Sequence, residues 1–86
     1  MIMNMLSLQY IFEKAIRDNH EYVGIKLLIG DCYEIIINSN EDFKEKLEYY
    51  KRTYNDNLTL KTFKNIRITA MTYGTLEDVK TGLKLL

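Results

Sequence analysis

The fold of this chain is decided by the stretch KLLIGDCYEIII, residues 26–37. Two runs rich in β-branched and other apolar residues flank a Gly30-Asp31 pair, which is typical of two strands joined by a tight turn. The strand-like composition extends outward on both sides, to residues 22 and 39. The sequence therefore predicts a β-hairpin over residues 22–39.

The register of this hairpin depends on the length of its loop. A two-residue Gly30-Asp31 loop places Ile29 opposite Cys32 and sets the apolar face of one strand against the mixed face of the other. A loop that includes Cys32 instead pairs Ile29 with Tyr33 and brings the apolar residues of both strands to one side. We therefore expect Cys32 at the exposed tip of a three-residue loop. The further pairs expected in this register are Leu27 with Ile35 and Ile25 with Ile37.

Three amphipathic helices and a second hairpin are predicted around this stretch. Residues 5–18 carry apolar side chains at helical spacing. Residues 39–54 do the same, with Ser39 or Asn40 as the cap, and they place acidic residues in the first turn and basic residues in the last, as the helix dipole favours. A third helix begins at Thr75 with the capping-box pattern T-L-E-D. Between the last two helices, residues 58–63 and 66–73 alternate apolar and polar side chains, which predicts two strands.

The predicted element order is αββαββα. Short connections favour antiparallel pairing within each hairpin, and amphipathic helices need an apolar sheet face to cover. In the second hairpin, a loop at residues 63–65 would align Leu60 with Ile68 and Leu58 with Ala70. We therefore expect a single α+β domain over residues 1–86. Its architecture would be a two-layer sandwich, with an antiparallel sheet from two hairpins covered on one face by helices.

Composition restricts the chemistry that the chain can perform. With 86 residues, one cysteine and one histidine, it cannot form an internal disulfide or its own Cys/His zinc cage. The four glycines are scattered singly, so no phosphate-binding loop is present. His20 is the only histidine that could act as a base for Cys32. The carboxylate pairs at 41–42 and 77–78 lie in first helical turns, where their negative charge interacts favourably with the helix dipole. We expect a non-enzymatic protein without a cofactor.

The amino-terminal stretch MIMNMLSLQYIF has no basic residue before its apolar residues. No apolar run approaches the roughly 18 residues that a membrane helix requires. We therefore expect a cytoplasmic protein with no membrane partner.

Charge divides the chain into two opposed segments, although the net charge is +0. Residues 18–48 carry eight acidic and three basic side chains, and residues 49–72 carry five basic side chains and one acidic. On the middle helix, the acidic residues project opposite the stripe of Phe43 and form an outer ridge that can engage a basic groove of a partner. The alternative is a solvated helix face. The predicted partner-binding residues are Glu41, Glu45, Glu48, Tyr49 and Arg52.

The basic segment has two interpretations of its own. Its side chains can contact nucleic-acid phosphates, or they can protect a sheet edge against aggregation. The first interpretation makes the chain a small nucleic-acid-binding or transcription-regulating module, as the alternative function. The residues involved would be Lys51, Lys61, Lys64 and Arg67.

The chain as a whole is small and rich in Ile, Lys, Asn and Tyr. It carries an acidic helix, and its sequence contains no recognisable catalytic motif. In this composition and element order it resembles early-gene products of phages and prophages of low-GC Gram-positive bacteria, and among these the anti-CRISPR class. The resemblance implies a monomeric or homodimeric inhibitor that binds a host defence protein, such as a CRISPR effector, in the host cytoplasm. The zero net charge departs from the strongly acidic inhibitors that mimic a DNA duplex.

Overall fold

A computed structural model describes residues 3–85 and shows an α+β fold, which confirms the predicted class. The three strands described pair antiparallel in the order β2-β1-β3. A short 3-10 turn, Asn40–Asp42, precedes the second helix. The elements in chain order are α1 (Met5–Arg17), β1 (Tyr22–Ile29), β2 (Cys32–Ser39), α2 (Phe43–Thr53), β3 (Ile66–Gly74) and α3 (Leu76–Leu85).

Helix α1 begins and ends at residues that satisfy its terminal backbone groups. The side chain of Asn4 accepts a hydrogen bond from the Ser7 amide, and the Ser7 hydroxyl accepts one from the Asn4 amide. This is a reciprocal capping box. At the other end, Asn19 adopts the left-handed conformation (φ 56°) that ends the helix, a conformation that Asn tolerates better than most residues do. The residues that α1 buries are Leu8, Phe12 and Ala15.

The first hairpin is present, but its predicted register is wrong. Ile29 faces Cys32 and Leu27 faces Glu34, so the loop has two residues. Gly30 supplies the positive φ (60°) that the first position of a type II′ turn requires. Cys32 is exposed, as predicted, but it begins β2 and does not lie in the loop.

The register prediction failed because it assumed one buried sheet face, whereas helices lie on both. Val23 and Ile25 pack with α1 and α2 on one face. Gly24 lies directly under Val79 and Leu83 of α3 on the opposite face. The prediction that all helices cover one face is therefore corrected. Since both faces take apolar residues, the continuous Ile35-Ile36-Ile37 run of β2 suits either register.

The second predicted hairpin is reduced to isolated bridges, and residues 58–63 do not form a strand. The Ile68 amide donates to the Leu58 carbonyl, and the Leu60 amide donates to the Ile66 carbonyl. This pairing is shifted by two residues from the predicted one. Leu58 is buried and has a positive φ (69°), which interrupts the extended backbone at that point. Strand β3 pairs instead along the whole of β1.

One buried polar contact joins the sheet to α2. Asn38 is 2% exposed and lies on β2. Its amide nitrogen donates to the Val23 carbonyl at 3.2 Å and to the Tyr50 hydroxyl at 3.3 Å. The hydrogen bonds within the protein replace those that the Asn38 amide and the Tyr50 hydroxyl would make with water. The contact therefore fixes the position of α2 with little loss of free energy from desolvation.

Candidate functional site

The predicted partner-binding residues lie on the outer side of α2 and in the turn before it. Glu41, Glu45, Glu48, Tyr49 and Arg52 are all exposed, while the opposite side of the helix buries the stripe that the sequence identified. The Tyr49 side chain is 42% exposed. The structure thus brings these five residues to one accessible surface.

This surface is not uniformly acidic. Residues 41–52 carry four acidic and four basic side chains. The Lys51 ammonium lies 3.7 Å from the Glu48 carboxylate, and the Lys46 ammonium lies 5.8 Å from the centroid of the Tyr49 ring. Because the charges alternate, the potential of the ridge is mixed and steers a charged partner only weakly.

A groove of about 550 Å³ lies between α1 and β3, and the sequence did not predict it. Its rim includes Leu6, which is 71% exposed, and Tyr10, which is 56% exposed. These two residues lie off the buried stripe of α1 but only four positions apart, so they share one face of the helix. That pair was the available signal in the sequence. The groove is lined by Met3, Leu6, Ser7, Tyr10, Ile11 and Met71.

Strand β3 forms one wall of this groove and one edge of the sheet. Its inner side pairs with β1, and its outer side contacts residues 58–60 only near Ile66–Ile68. From Thr69 to Tyr73, no backbone hydrogen bond joins the outer side of β3 to another described segment. A strand edge of this kind can pair with an extended segment of another chain.

The basic residues predicted for nucleic-acid binding separate into two places. Lys51 lies on α2, where it pairs with Glu48. Lys61 and Lys64 are exposed in the loop before β3. This loop approaches the first hairpin, because the Gly30 amide donates to the Asn65 carbonyl at 3.1 Å.

Arg67 lies on β3, directly after the loop that carries Lys61 and Lys64, and adds a third basic side chain in this part of the chain. It is exposed and lies opposite Leu28 of β1, whose other neighbour is Tyr33 of β2. Tyr33 is 60% exposed, and the Lys26 ammonium lies 4.6 Å from the centroid of its ring. The sequence interpretation missed Tyr33 because the three-residue loop placed it in the core.

The structure separates the two residues considered as a catalytic pair. His20 precedes β1, whereas Cys32 faces the last residue of that strand. The seven residue steps of β1, at about 3.3 Å each, hold its two ends roughly 23 Å apart, and His20 and Cys32 lie at opposite ends. The His20 ring instead packs on the Tyr73 ring, with centroids 4.5 Å apart. Among residues 3–85, no group of three or more His, Cys, Asp or Glu side chains is placed to hold a metal ion.

The two tyrosines with shifted pKa values belong to the core. Burial raises the pKa of Tyr50, and the hydrogen bond with Asn38 partly opposes this effect. Burial also raises the pKa of Tyr54 to about 12, with smaller contributions from Tyr50 and Tyr49. Since Tyr50 and Tyr54 are buried, these shifts describe packing and do not mark a catalytic group.

No described helix has both the length and the apolar character needed to cross a membrane. Comparison of the chain with protein-family models, with curated proteins and with solved structures found no match.

Proposed function

We propose that this chain is a non-enzymatic protein-binding module of the phage-inhibitor type. The observation that carries this proposal is the apolar groove between α1 and β3, with Leu6 and Tyr10 exposed at its rim. Aromatic and aliphatic side chains around a concave surface are typical of the centre of a protein interface. The proposed partner is a host defence protein, such as a CRISPR effector, because the composition of the chain resembles that of anti-CRISPR proteins.

The free edge of β3 defines how the partner would bind. An extended segment of the partner pairs with the backbone between Thr69 and Tyr73. Alternate side chains of that segment then point toward the groove, where they contact Tyr10 and Met71. Main-chain hydrogen bonds provide affinity in this mode, and the groove selects the side chains that enter it.

The outer surface of α2 is the competing interface for the same function. Two exposed helical tyrosines make a matched pair of variants that separates the two surfaces. Tyr10→Ala removes the aromatic ring from the rim of the groove, and Tyr49→Ala removes it from α2. Neither side chain is in the core, so both variants should fold.

The test measures CRISPR interference against a plasmid in a host that expresses the chain. The wild-type chain should suppress interference. Loss of a central aromatic residue costs about 2 kcal/mol of binding free energy, so Tyr10→Ala should bind the recovered partner roughly 30-fold more weakly. Tyr49→Ala should bind as the wild type does. Circular dichroism confirms that both variants are folded.

Two results would count against the proposal. Full interference in the presence of the wild-type chain, with no defence protein retained by the tagged chain, would exclude an inhibitor of this kind. Loss of binding in Tyr49→Ala alone would move the interface to α2.

A further inference from the structure

Helix α3 covers only one end of the sheet face on which it packs. Gly24 and Ala70 lie against Val79 and Leu83 of this helix. Toward the Gly30 turn, the same face continues beyond these contacts of Val79 and Leu83. There Leu28 is half-buried, and Tyr33 and Arg67 on either side of it are exposed. This end of the face is therefore open to a ligand.

The Tyr33 ring is held in place from one side. The Lys26 ammonium lies 4.6 Å from the ring centroid, and it also donates a hydrogen bond to the Leu83 carbonyl at 3.1 Å. That carbonyl belongs to the last turn of α3, where the helix dipole favours a cation. Lys26 thus fixes one face of the ring. With 60% of the residue exposed, the other face remains open to solvent.

Positive charge collects around this ring. Arg67 and Tyr33 flank Leu28 on neighbouring strands, so their Cα atoms lie roughly 10 Å apart. Glu34 projects from the opposite face of β2, and Asp31 in the turn offsets one positive charge. No ion pair within residues 3–85 involves any of the basic side chains at this end. They are Lys26, Lys64 and Arg67.

We propose that this open end of the sheet binds single-stranded nucleic acid. A base stacks on the free face of Tyr33, and Arg67 contacts the phosphate of the same or the next nucleotide. Lys64, beside Asn65 in the neighbouring loop, extends the phosphate contacts. Unpaired positive charge beside an oriented aromatic ring is the combination that binds single strands without strong sequence preference.

A duplex fits this surface less well than a single strand. The bases of a duplex are stacked on one another, so a ring on a sheet face cannot reach their planes. The surface also lies on the face opposite α1 and α2, away from the groove proposed for protein binding. The two functions can therefore succeed or fail independently.

The experiment measures fluorescence anisotropy of labelled 12-nucleotide strands of oligo-dT and oligo-U, with a duplex of the same length for comparison. We expect both single strands to bind more tightly than the duplex, and the tighter of the two identifies DNA or RNA as the preferred chemistry. The logarithm of the binding constant should fall with the logarithm of salt concentration with a slope of roughly −0.7 for each phosphate contacted.

Variants separate stacking from charge. Tyr33→Ala should weaken single-strand binding by between about 5-fold and about 150-fold, whereas Tyr33→Phe keeps the ring and should bind as the wild type does. Arg67→Gln should reduce the magnitude of the salt slope by roughly 0.7, which a merely structural role would not do. Tyr10→Ala is the matched control for this readout, since it removes an exposed tyrosine from the opposite side of the sheet and should leave single-strand binding at the wild-type level.

Three results would overturn the proposal. The first is an absence of binding to either strand at low salt. The second is equal binding of Tyr33→Ala and the wild type. The third is displacement of the strand by poly-glutamate at the same concentration of charges, because an acidic polypeptide cannot stack and would show that the surface recognises acidic protein.

Discussion

Gly24 is the position where a single added methyl group should most clearly disturb the fold. It lies in the middle of β1, where Ile37 and Thr72 are its neighbours in the sheet. A Cβ atom at this position would overlap Val79 Cγ1 and lie 2.7 Å from Leu83 Cδ1. Gly24→Ala therefore forces α3 away from the sheet.

The size of the effect follows from the burial of the two side chains that would have to move. Val79 and Leu83 are fully buried, so neither can turn toward solvent. Overfilling a packed core in this way costs about 1–3 kcal/mol of unfolding free energy. Alanine recovers roughly 0.5–1 kcal/mol, because glycine loses more backbone entropy in a strand. The expected net loss therefore lies between about 0 and about 2.5 kcal/mol, with a middle value of about 1 kcal/mol.

Urea unfolding followed by circular dichroism measures this loss, and a second substitution tests its cause. Val79→Ala removes the methyl group that the new Cβ would strike. The double variant Gly24→Ala/Val79→Ala should therefore be more stable than the sum of the two single losses predicts, by about 1 kcal/mol.

Gly30→Ala is the matched control for this cycle. No atom would contact its Cβ within 4 Å, but its φ of +60° is strained for alanine and costs about 1–2 kcal/mol. This loss has a different origin, so Val79→Ala should not reduce it. Strict additivity in the double variant Gly24→Ala/Val79→Ala, with no gain over the sum of the two single losses, would refute the steric reasoning.

Two further predictions concern single side chains. Because the pKa of Tyr54 rises from 10.0 to about 12, the folded chain holds this proton more tightly than the unfolded chain. The contribution of Tyr54 to the unfolding free energy should be constant well below pH 10 and should fall as pH rises through 10 toward 12. Tyr54→Phe should therefore reduce the fall in urea midpoint that is measured between pH 8 and pH 11. Cys32 is exposed, so a thiol reagent should modify the native chain nearly as fast as the unfolded chain. Slow modification without denaturant would contradict this exposure.

The parts of the fold that the sequence predicted correctly depend on neighbours along the chain. The capping box at Thr75 is confirmed, because its hydroxyl accepts a hydrogen bond from the Asp78 amide and the Asp78 carboxylate accepts one from the Thr75 amide. Asn19 ends α1 for a similarly local reason. The exposure of Glu45, Glu48, Tyr49 and Arg52 on α2 follows from helical periodicity alone.

The candidate sites beyond α2 could not be predicted in the same way. Tyr33 lies exposed beside Leu28 only because β2 is shifted by one residue from the predicted register. The groove at Tyr10 exists because α1 lies beside β3, which the sequence placed in a second hairpin. Both sites are made by residues distant in sequence, and their proximity is decided by packing.

The sequence by itself determined the α+β class, the approximate helices and the existence of the first hairpin, because hydrophobic period and capping act over a few residues. Tertiary structure alone decided which side of KLLIGDCYEIII faces which helix. Two apolar strands can pair in either register at similar local cost. The choice was made by α3, whose Val79 and Leu83 occupy the space above Gly24 and so require a second buried face on the sheet.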